Sequence, residues 1–501
     1  MLFERARQVS LRRFILFAAD AACVLASFCV AAYVRLKPSK VWWTGYIQDH
    51  LPYLVCTVGI FLVVFYAGGL YERETLTRKS QSIVLLLITV AIGMLLSMAV
   101  FYAQLEVGLG RGILLISSVF IFAGTCLIRR MYRIAVGYGF LFRNALIVGD
   151  GEEVEQVLDL IQHTEDSGFK IYGIVSSSRT RKGEFSRGVP ILGPVEALRK
   201  FVEAYEVETI ILAATQARES TLLSELRPLR YAGIQIMDYV SLHEQISEEI
   251  PIDHIDDEWL MNAAMKSSAI HIRKIKRMMD IVVSLAGLVV TLPVTALAAL
   301  FIWVESGGPV LFRQRRASLA GRPYTLIKFR TMKADAEVGS GPVWAGRFDE
   351  RVTRCGRILR KWRIDEIPQL VNVLRGEMSL VGPRPERPEF IESLAEQIPF
   401  YKERLMVPPG ITGWAQVKFP YAASVDAARR KLQYDLYYNK HMGFLLDVQI
   451  LLRTFRTIFE GTHHSEEEPG RLPDESEGLR TKHLTVIPPP AESDDADDKS
   501  A

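Results

Sequence analysis

Two carboxylates stand side by side at Asp365-Glu366, in the run Arg363-Ile364-Asp365-Glu366-Ile367-Pro368-Gln369-Leu370-Val371-Asn372-Val373-Leu374. Arg351, Arg354, Arg357, Arg360 and Lys361 lead up to them, and Gly382-Pro383-Arg384-Pro385 follows. Carboxylates among guanidinium groups suit phosphoryl transfer. Arginines neutralise phosphate oxygens, with two parallel bonds where the geometry permits. One carboxylate can attack phosphorus. The other can hold Mg²⁺, a hard cation that bridges phosphate oxygens. Neighbouring side chains point different ways, so the two acids need not share a role. A surface ion-pair network between Arg363 and the acids fits the same spacing, and spacing alone does not separate the two readings.

The elements that must position these groups are short. The three- to four-residue spacing from Arg351 to Arg360 puts several bases on one helical face. Pro368 suits the first turn of a helix that begins near Glu366 or Ile367, runs to about Leu374 and ends at Gly376. The acid pair is then expected at a helix N-terminus, where the dipole favours negative charge. Lys328-Phe329-Arg330-Thr331-Met332 reads as a strand carrying bases.

The first quarter of the chain belongs to a membrane. Of 501 residues 49% are hydrophobic, and the mean hydropathy is +0.14. Apolar segments at about 14–34, 51–70, 82–102 and 113–127 mostly approach the ~20 residues that cross a bilayer. The first is no cleavable signal peptide, being long and followed by more spans. Arg5, Arg7, Arg12 and Arg13 precede the set, and Arg129, Arg130 and Arg133 follow it. Both ends are therefore expected on the cytoplasmic side, as an even number of spans requires. The loop bases Arg35, Lys37 and Lys40 rival Arg73, Arg78 and Lys79, so the bias is not clean. Asp20 lies inside the first span, about two turns from its cytoplasmic end, and reads as an interfacial or paired carboxylate. The five cysteines show no CxxC spacing, which indicates neither a zinc site nor a disulfide framework.

From about residue 140 to 250 the composition is that of a soluble α/β unit. Strands at about 145–149, 171–175, 207–213 and 234–238 alternate with helices at 152–163, 195–205 and 218–231, which implies a parallel sheet. Its first turn, Gly149-Asp150-Gly151-Glu152-Glu153-Val154, has two of the three glycines of a dinucleotide fingerprint. Its acids stand where a pyrophosphate would sit. The expectation is a Rossmann-like module without a working nucleotide site.

A fifth apolar segment, about 281–304, has basic clusters on both sides: Arg273, Lys274, Lys276 and Arg277 before it, and Arg313, Arg315, Arg316, Arg322, Lys328, Arg330 and Lys333 after it. Both clusters should stay cytoplasmic. Pro293, at its middle, removes an amide donor and clashes with the preceding turn. A re-entrant helix–break–helix, at about 278–304, satisfies both facts where a straight span does not.

Five motifs occur in order: Lys276-Arg277-Met278-Met279-Asp280, Lys328 to Met332, Asp365 to Leu374, Gly376-Glu-Met-Ser-Leu-Val-Gly-Pro-Arg-Pro385 and Pro409-Gly-Ile-Thr-Gly-Trp-Ala-Gln-Val417. Together they resemble the bacterial sugar transferases, monotopic polyprenyl-phosphate glycosyl-1-phosphate transferases. The resemblance covers about 270–461. The four spans and the Rossmann-like, CoA-binding-type module resemble the long form of that family, whose members start exopolysaccharide, capsule or O-antigen repeat units. The resemblance implies transfer of a sugar-1-phosphate from a UDP-sugar to undecaprenyl phosphate, with UMP released. It implies Asp365 as the nucleophile of a covalent intermediate and Glu366 tied to Mg²⁺. Lys328, Arg330, Arg360 and Arg384 are then expected on substrate phosphates. Lys276, Arg277, Asp280 and Pro293 are expected to anchor and shape the hairpin at the headgroup layer. It further implies a multi-pass protein of the bacterial inner membrane with its catalytic domain on the cytoplasmic face, a lipid bilayer and later glycosyltransferases as partners, and no nucleic acid. A homodimer is compatible with the long form. The chain departs from the pattern at Leu292, where many members have Ser, at Ser318, where Gly is common, and at 418–424, which leaves sugar specificity open.

A non-catalytic membrane scaffold is the rival of another class; it should tolerate Asp365→Asn. A middle-domain dehydratase or epimerase would need a full fingerprint and a Tyr-x-x-x-Lys pair, and Tyr205 and Tyr231 lack the lysine. Near the C-terminus 444–459 reads as an amphipathic helix that either lies on the membrane or packs on the catalytic core. The acidic, Pro-rich stretch 462–501 reads as a disordered tail.

Overall fold

The structure, a computed structural model, describes residues 2–36, 40–71, 79–103, 111–137, 142–164, 167–176, 183–213, 220–261, 270–333, 351–419 and 424–460. The tail expected at 462–501 lies outside them. Four helices come first: α1 (Leu2–Leu36), α2 (Lys40–Ala67), α3 (Lys79–Ala103) and α4 (Arg111–Gly137). Phe14–Leu36 and Gly112–Ala135 are long and apolar enough to cross a membrane, while the apolar stretches of α2 and α3 are shorter, His50–Tyr66 and Leu85–Val100. These helices make the chain a membrane protein. Small residues permit close approach between them: a Cβ on Gly93 would press on the Phe61 ring, and one on Gly124 on Cys23 Sγ. Asp20 is fully buried, away from lipid.

The middle domain is a six-stranded sheet built from β1 (Arg143–Gly149), β2 (Phe169–Ser176), β3 (Phe185–Ser186), β4 (Val189–Pro194), β5 (Thr209–Ala213) and β6 (Gln235–Asp238). The order is β3-β4-β2-β1-β5-β6, parallel except for the β3–β4 pair. α5 (Glu152–Gln162), α6 (Leu198–Ala204), α7 (Ser220–Tyr231) and α8 (Tyr239–Ser247) connect or follow the strands, and each face of the sheet has its own apolar core. The parallel alternation follows the sequence expectation; the two-residue edge strand β3 and its neighbour β4 were not foreseen.

Both glycines of the partial fingerprint have internal reasons. Gly149 pairs with Ala213 across β1 and β5, where a Cβ would lie 2.1 Å from the Ala213 carbonyl oxygen. Gly151 takes φ 71 to turn the chain into α5. The Asp150 carboxylate accepts from Ser176 Oγ. Gly149→Ala should therefore destabilise this domain by about 1–3 kcal/mol through overpacking against backbone, read as a lower unfolding midpoint of the detergent-solubilised protein.

Residues ahead of 270 pack with the catalytic-type domain. Contacts divide the chain between Ile246 and Ser247, and Ile250 and Ile252 are buried among residues such as Leu394, Leu432 and Leu436. α9 (Ile270–Ser306) is a single 37-residue helix that runs through Pro293. The sequence reading expected two helices with a break at that proline; the helix instead continues across it. Next come the hairpin β7 (Leu311–Ala317) and β8 (Pro323–Phe329), α10 (Arg354–Lys361), a 3-10 turn at Ile364–Glu366, α11 (Gln369–Arg375) and β9 (Ser379–Val381). α12 (Pro388–Gln397), β10 (Gly410–Thr412), α13 (Trp414–Lys418), α14 (Val425–His441) and α15 (Phe444–Glu460) complete it. α15 packs on the core: Ile450 and Asp447 are fully buried.

Candidate active site

The acid pair sits one turn earlier than a helix N-terminus. Arg363 adopts a left-handed conformation, φ 53, which ends the run out of α10 and starts the 3-10 turn holding Asp365 and Glu366. Pro368 caps α11, and Gly376 ends it with φ 80. The helix thus starts two to three residues later than the sequence reading placed it.

Three elements bring cations to this turn. Asn372 of α11 fixes the hairpin strand β8: its Nδ2 donates to Thr325 O at 2.8 Å, and its Oδ1 accepts Ile327 N–H at 3.1 Å. The register pairs Phe312 with Lys328 and Arg316 with Tyr324, which turns Lys328 and Arg316 to the less exposed face of the ribbon. Beyond β8, the Met332–Val352 bridge draws the chain to α10. Thr331 Oγ1 there accepts Arg360 Nε at 2.9 Å. The Gly382-Pro383-Arg384-Pro385 loop supplies the third cation. Arg384 Nη1 lies 3.5 Å from Glu366 Oε1, and Arg363 Nη1 lies 3.5 Å from Glu366 Oε2. Gln416 of α13 accepts the same Arg384 Nη1 at 3.1 Å. Asp365, Glu366, Lys328, Arg360 and Arg384 are therefore brought together.

Burial, then the adjacent Glu366 charge, pushes the Asp365 carboxyl up to about 6, against the lowering pull of Lys328 and Arg360. Burial first, and then Arg316, lowers Lys328 to about 8, with Asp365 working the other way. Each group is thus poised to change charge near neutrality.

Arg330 is placed differently from the expectation. It is buried and donates to the carbonyls of Ser306, Gly307 and Gly308 at 2.9, 2.6 and 3.0 Å, and to Ser306 Oγ at 2.8 Å. It fastens the C-terminal end of α9, and those bonds occupy its terminal nitrogens. The three residues expected at the headgroup layer also bond inward. Lys276 uses all three ammonium protons, on Asp447 Oδ2 (2.7 Å), Val381 O (2.8 Å) and Tyr438 Oη (3.0 Å). Arg277 caps α11 through the carbonyls of Val373 and Leu374, at 2.5 and 2.7 Å. Asp280 accepts Ser379 Oγ and Leu380 N–H, both at 3.0 Å.

Several supporting residues had escaped the sequence reading. Arg316 Nη1 donates to Pro385 O at 3.0 Å, and Arg404 Nη2 to Arg384 O at 3.2 Å, so two arginines hold the backbone of the Gly382–Pro385 loop. Arg404 also pairs with buried Asp435 at 2.9 Å. Glu305 accepts the N–H groups of Arg354 and Cys355, both at 2.9 Å, and so caps α10. Asp447 had one visible signal: it is the lone acid of the apolar stretch 444–452.

The acid pair and its ring of cations lie on a domain bonded to both ends of a 37-residue, largely apolar helix. The family model for bacterial sugar transferases matches residues 271–461, and that for a CoA-binding domain matches 66–237. The chain is 43% identical over 185 residues to UDP-glucose:undecaprenyl-phosphate glucose-1-phosphate transferase of Caulobacter vibrioides, covering 36% of this chain and 69% of that one. It is 29% identical over 352 residues to the Escherichia coli protein of the same name, covering 68% and 72%. A third relative, UDP-N-acetylgalactosamine-undecaprenyl-phosphate N-acetylgalactosaminephosphotransferase of Aeromonas hydrophila, is 41% identical over 230 residues, and the match spans about half of its length, 53%. The chain belongs to the bacterial sugar transferase family.

Proposed function

We propose that the protein transfers a hexose-1-phosphate from a UDP-sugar to undecaprenyl phosphate, in two displacements at one phosphorus. The observation that carries this reading is the Asp365 carboxylate beside Glu366, with Lys328, Arg360 and Arg384 around the pair. An Asp365 oxygen attacks the phosphorus that bears the sugar. The bridging P–O bond of the diphosphate breaks, and UMP departs with its electron pair. An oxygen of undecaprenyl phosphate then attacks the same phosphorus and frees Asp365, giving the lipid diphosphosugar. Lys328, Arg360 and Arg384 offset the charge of donor and acceptor phosphates. Arg384 is half exposed, 49%, and open to a ligand. The enzyme would begin repeat-unit assembly, and later glycosyltransferases would extend its product.

The donor set suits Mg²⁺. Asp365 and Glu366 offer hard oxygens, and no group of three or more acids, histidines or cysteines occurs among the described residues. Mg²⁺ commonly takes one or two carboxylates and completes its shell with phosphate and water. Glu366, and Asp365 beside it, would hold the ion, which when bound supplies charge neutralisation at the diphosphate.

Both ends of α9 are tied to the same domain, Lys276, Arg277 and Asp280 at one end and Glu305 and Ser306 at the other. A straight helix would separate Arg277 from Ser306 by about 44 Å. Between these ends Val289, Val290 and Leu292 are exposed, as a lipid-facing surface requires. These facts support a re-entrant course, with the catalytic domain on the cytoplasmic face of the inner membrane. Arg315→Cys, next to Arg316 on the exposed face of β7, should then resist labelling by an impermeant maleimide in intact cells and react after permeabilisation; labelling in intact cells would indicate a straight span.

Asp365 attacks only when ionised; its carboxyl lies at about 6 without metal, and Mg²⁺ held beside it pulls that value down, so activity should rise through about pH 6 or below, at lower pH as Mg²⁺ increases. Lys328 assists only when protonated, and its lowered pKa makes activity fall through about pH 8. The kcat/KM profile for the UDP-sugar should be a bell between these limits. Lys328→Met should remove the alkaline limb and, by deleting a charge that lowers Asp365, move the acid limb upward. The direct test of the function is UMP release from a panel of UDP-sugars by purified protein with undecaprenyl phosphate and Mg²⁺. Release with one or more sugars is expected; none from any would overturn it.

A further inference from the structure

The five-residue helix α13 is held by a strap from the chain ahead of α9. Ile250 and Ile252 of the strap are buried in the catalytic-type domain, Ile250 N–H donates to Gln433 O at 3.1 Å, and Asp253 pairs with Arg429. Its first residue, Glu248, reaches both ends of α13. Trp414 Nε1 donates to the Glu248 carbonyl at 3.0 Å. The Lys418 ammonium lies 2.9 Å from the Glu248 carboxylate. Between those two residues stands Gln416, which accepts Arg384 Nη1. Glu248 has φ 58, a left-handed conformation that a non-glycine residue keeps only where its surroundings over-determine it.

We propose that Glu248 is a positioning residue for the transfer reaction: the strap fixes α13, and Gln416 on α13 sets where the Arg384 guanidinium stands beside the acid pair. The proposal rests on the phosphoryl-transfer reading and goes beyond it, because the strap lies outside the span 271–461 that the sugar transferase model matches. The apolar side of α13, Trp414, Ala415 and Val417, packs in the core, which leaves its polar side, Gln416 and Lys418, to be held by side-chain partners. Trp414, buried and stacked on Tyr437 at 5.7 Å, fixes one end, and the Lys418–Glu248 pair fixes the other. Without that pair α13 can turn about Trp414, and Gln416 moves with it. Arg384 would meet the donor diphosphate in the ground state and in the transition state alike. Loss of its orientation therefore weakens binding uniformly and appears in KM rather than kcat.

The test uses the full-length protein and initial rates of UMP release. Lys418→Met and Glu248→Gln should each raise KM for the UDP-sugar about three- to fivefold, the scale of a partly exposed ion pair, with kcat within about twofold. The double variant should be no worse than either single one. In an Arg384→Lys background, Glu248→Gln should change KM by less than about 1.5-fold, because the group it orients is gone. An unchanged KM in both single variants of an active enzyme overturns the proposal. So does a KM effect of undiminished size in the Arg384→Lys background, or a fall in kcat alone, which marks lost folded enzyme. A wild-type protein that releases no UMP removes the transfer reading itself, and the positioning role with it.

Discussion

Asp365→Asn should lower UMP release by on the order of 10⁴-fold or more, the scale of losing a covalent nucleophile. The substitution keeps the size of the side chain and its place in the 3-10 turn at Ile364–Glu366, so the protein should fold and bind UDP-sugar with near-normal affinity. An amide cannot form the acyl phosphate that the first displacement requires. Removing the charge also removes one repulsion with Glu366, which acts on Asp365 in the native site; the variant should be no less stable than the wild type. A small loss, of tenfold or less, would assign Asp365 to ion pairing and rule it out as the nucleophile.

Asp447→Ala should destabilise the catalytic domain by about 3–5 kcal/mol, since it leaves a buried ammonium without its counter-charge. Lys276 and Asp447 are 8% and 0% exposed in their side chains. Tyr438 Oη donates to Asp447 Oδ1 at 2.7 Å, so the substitution also leaves that hydroxyl with only its longer bond to Val381 O, 3.1 Å. Burial pushes the Asp447 carboxyl up, and Lys276 pulls it back. The Tyr438 hydrogen bond pulls the same way as the ammonium. Thermal unfolding in detergent should show the loss directly. The double variant Lys276→Met with Asp447→Leu should recover much of it, because replacing both members of a buried pair with apolar groups is often close to neutral. A double variant as unstable as Asp447→Ala would mean that the pair itself, not the stranded charge, sets the stability.

The contrast between these two acids shows what the sequence made legible. Asp365 stood out because a second acid and a series of arginines surround it within a few residues. Asp447 lies 171 residues from Lys276, and its helix, read alone, served a membrane surface as well as a core. Only the tertiary partner decides between them. Arg330 shows the reverse case. Its neighbours Lys328 and Thr331 do face the site, but the chain leaves the strand after Phe329, and Arg330 turns to the end of α9. Motif membership gave no warning, because the alternation that separates those residues stops at the strand end. The parallel middle sheet was readable from buried apolar runs such as Ala145-Leu-Ile-Val148. Strands β3 and β4, two and six residues long among Gly and Pro, carry too little periodicity to read. At Pro293 the local rule was outweighed. The residues on either side keep helical structure across the missing amide.

The claim on which the mechanism depends is the covalent step at Asp365. It is tested most directly by a single turnover without lipid acceptor: enzyme in excess over UDP-sugar, with Mg²⁺, quenched rapidly, UMP quantified and the peptide containing Asp365 weighed by mass spectrometry. The account predicts up to one UMP per UDP-sugar supplied in the absence of undecaprenyl phosphate, and an added hexose phosphate on Asp365 that disappears when acceptor is supplied. UMP release that depends strictly on acceptor, with no adduct at any time point, would contradict it and indicate direct transfer between the two substrates.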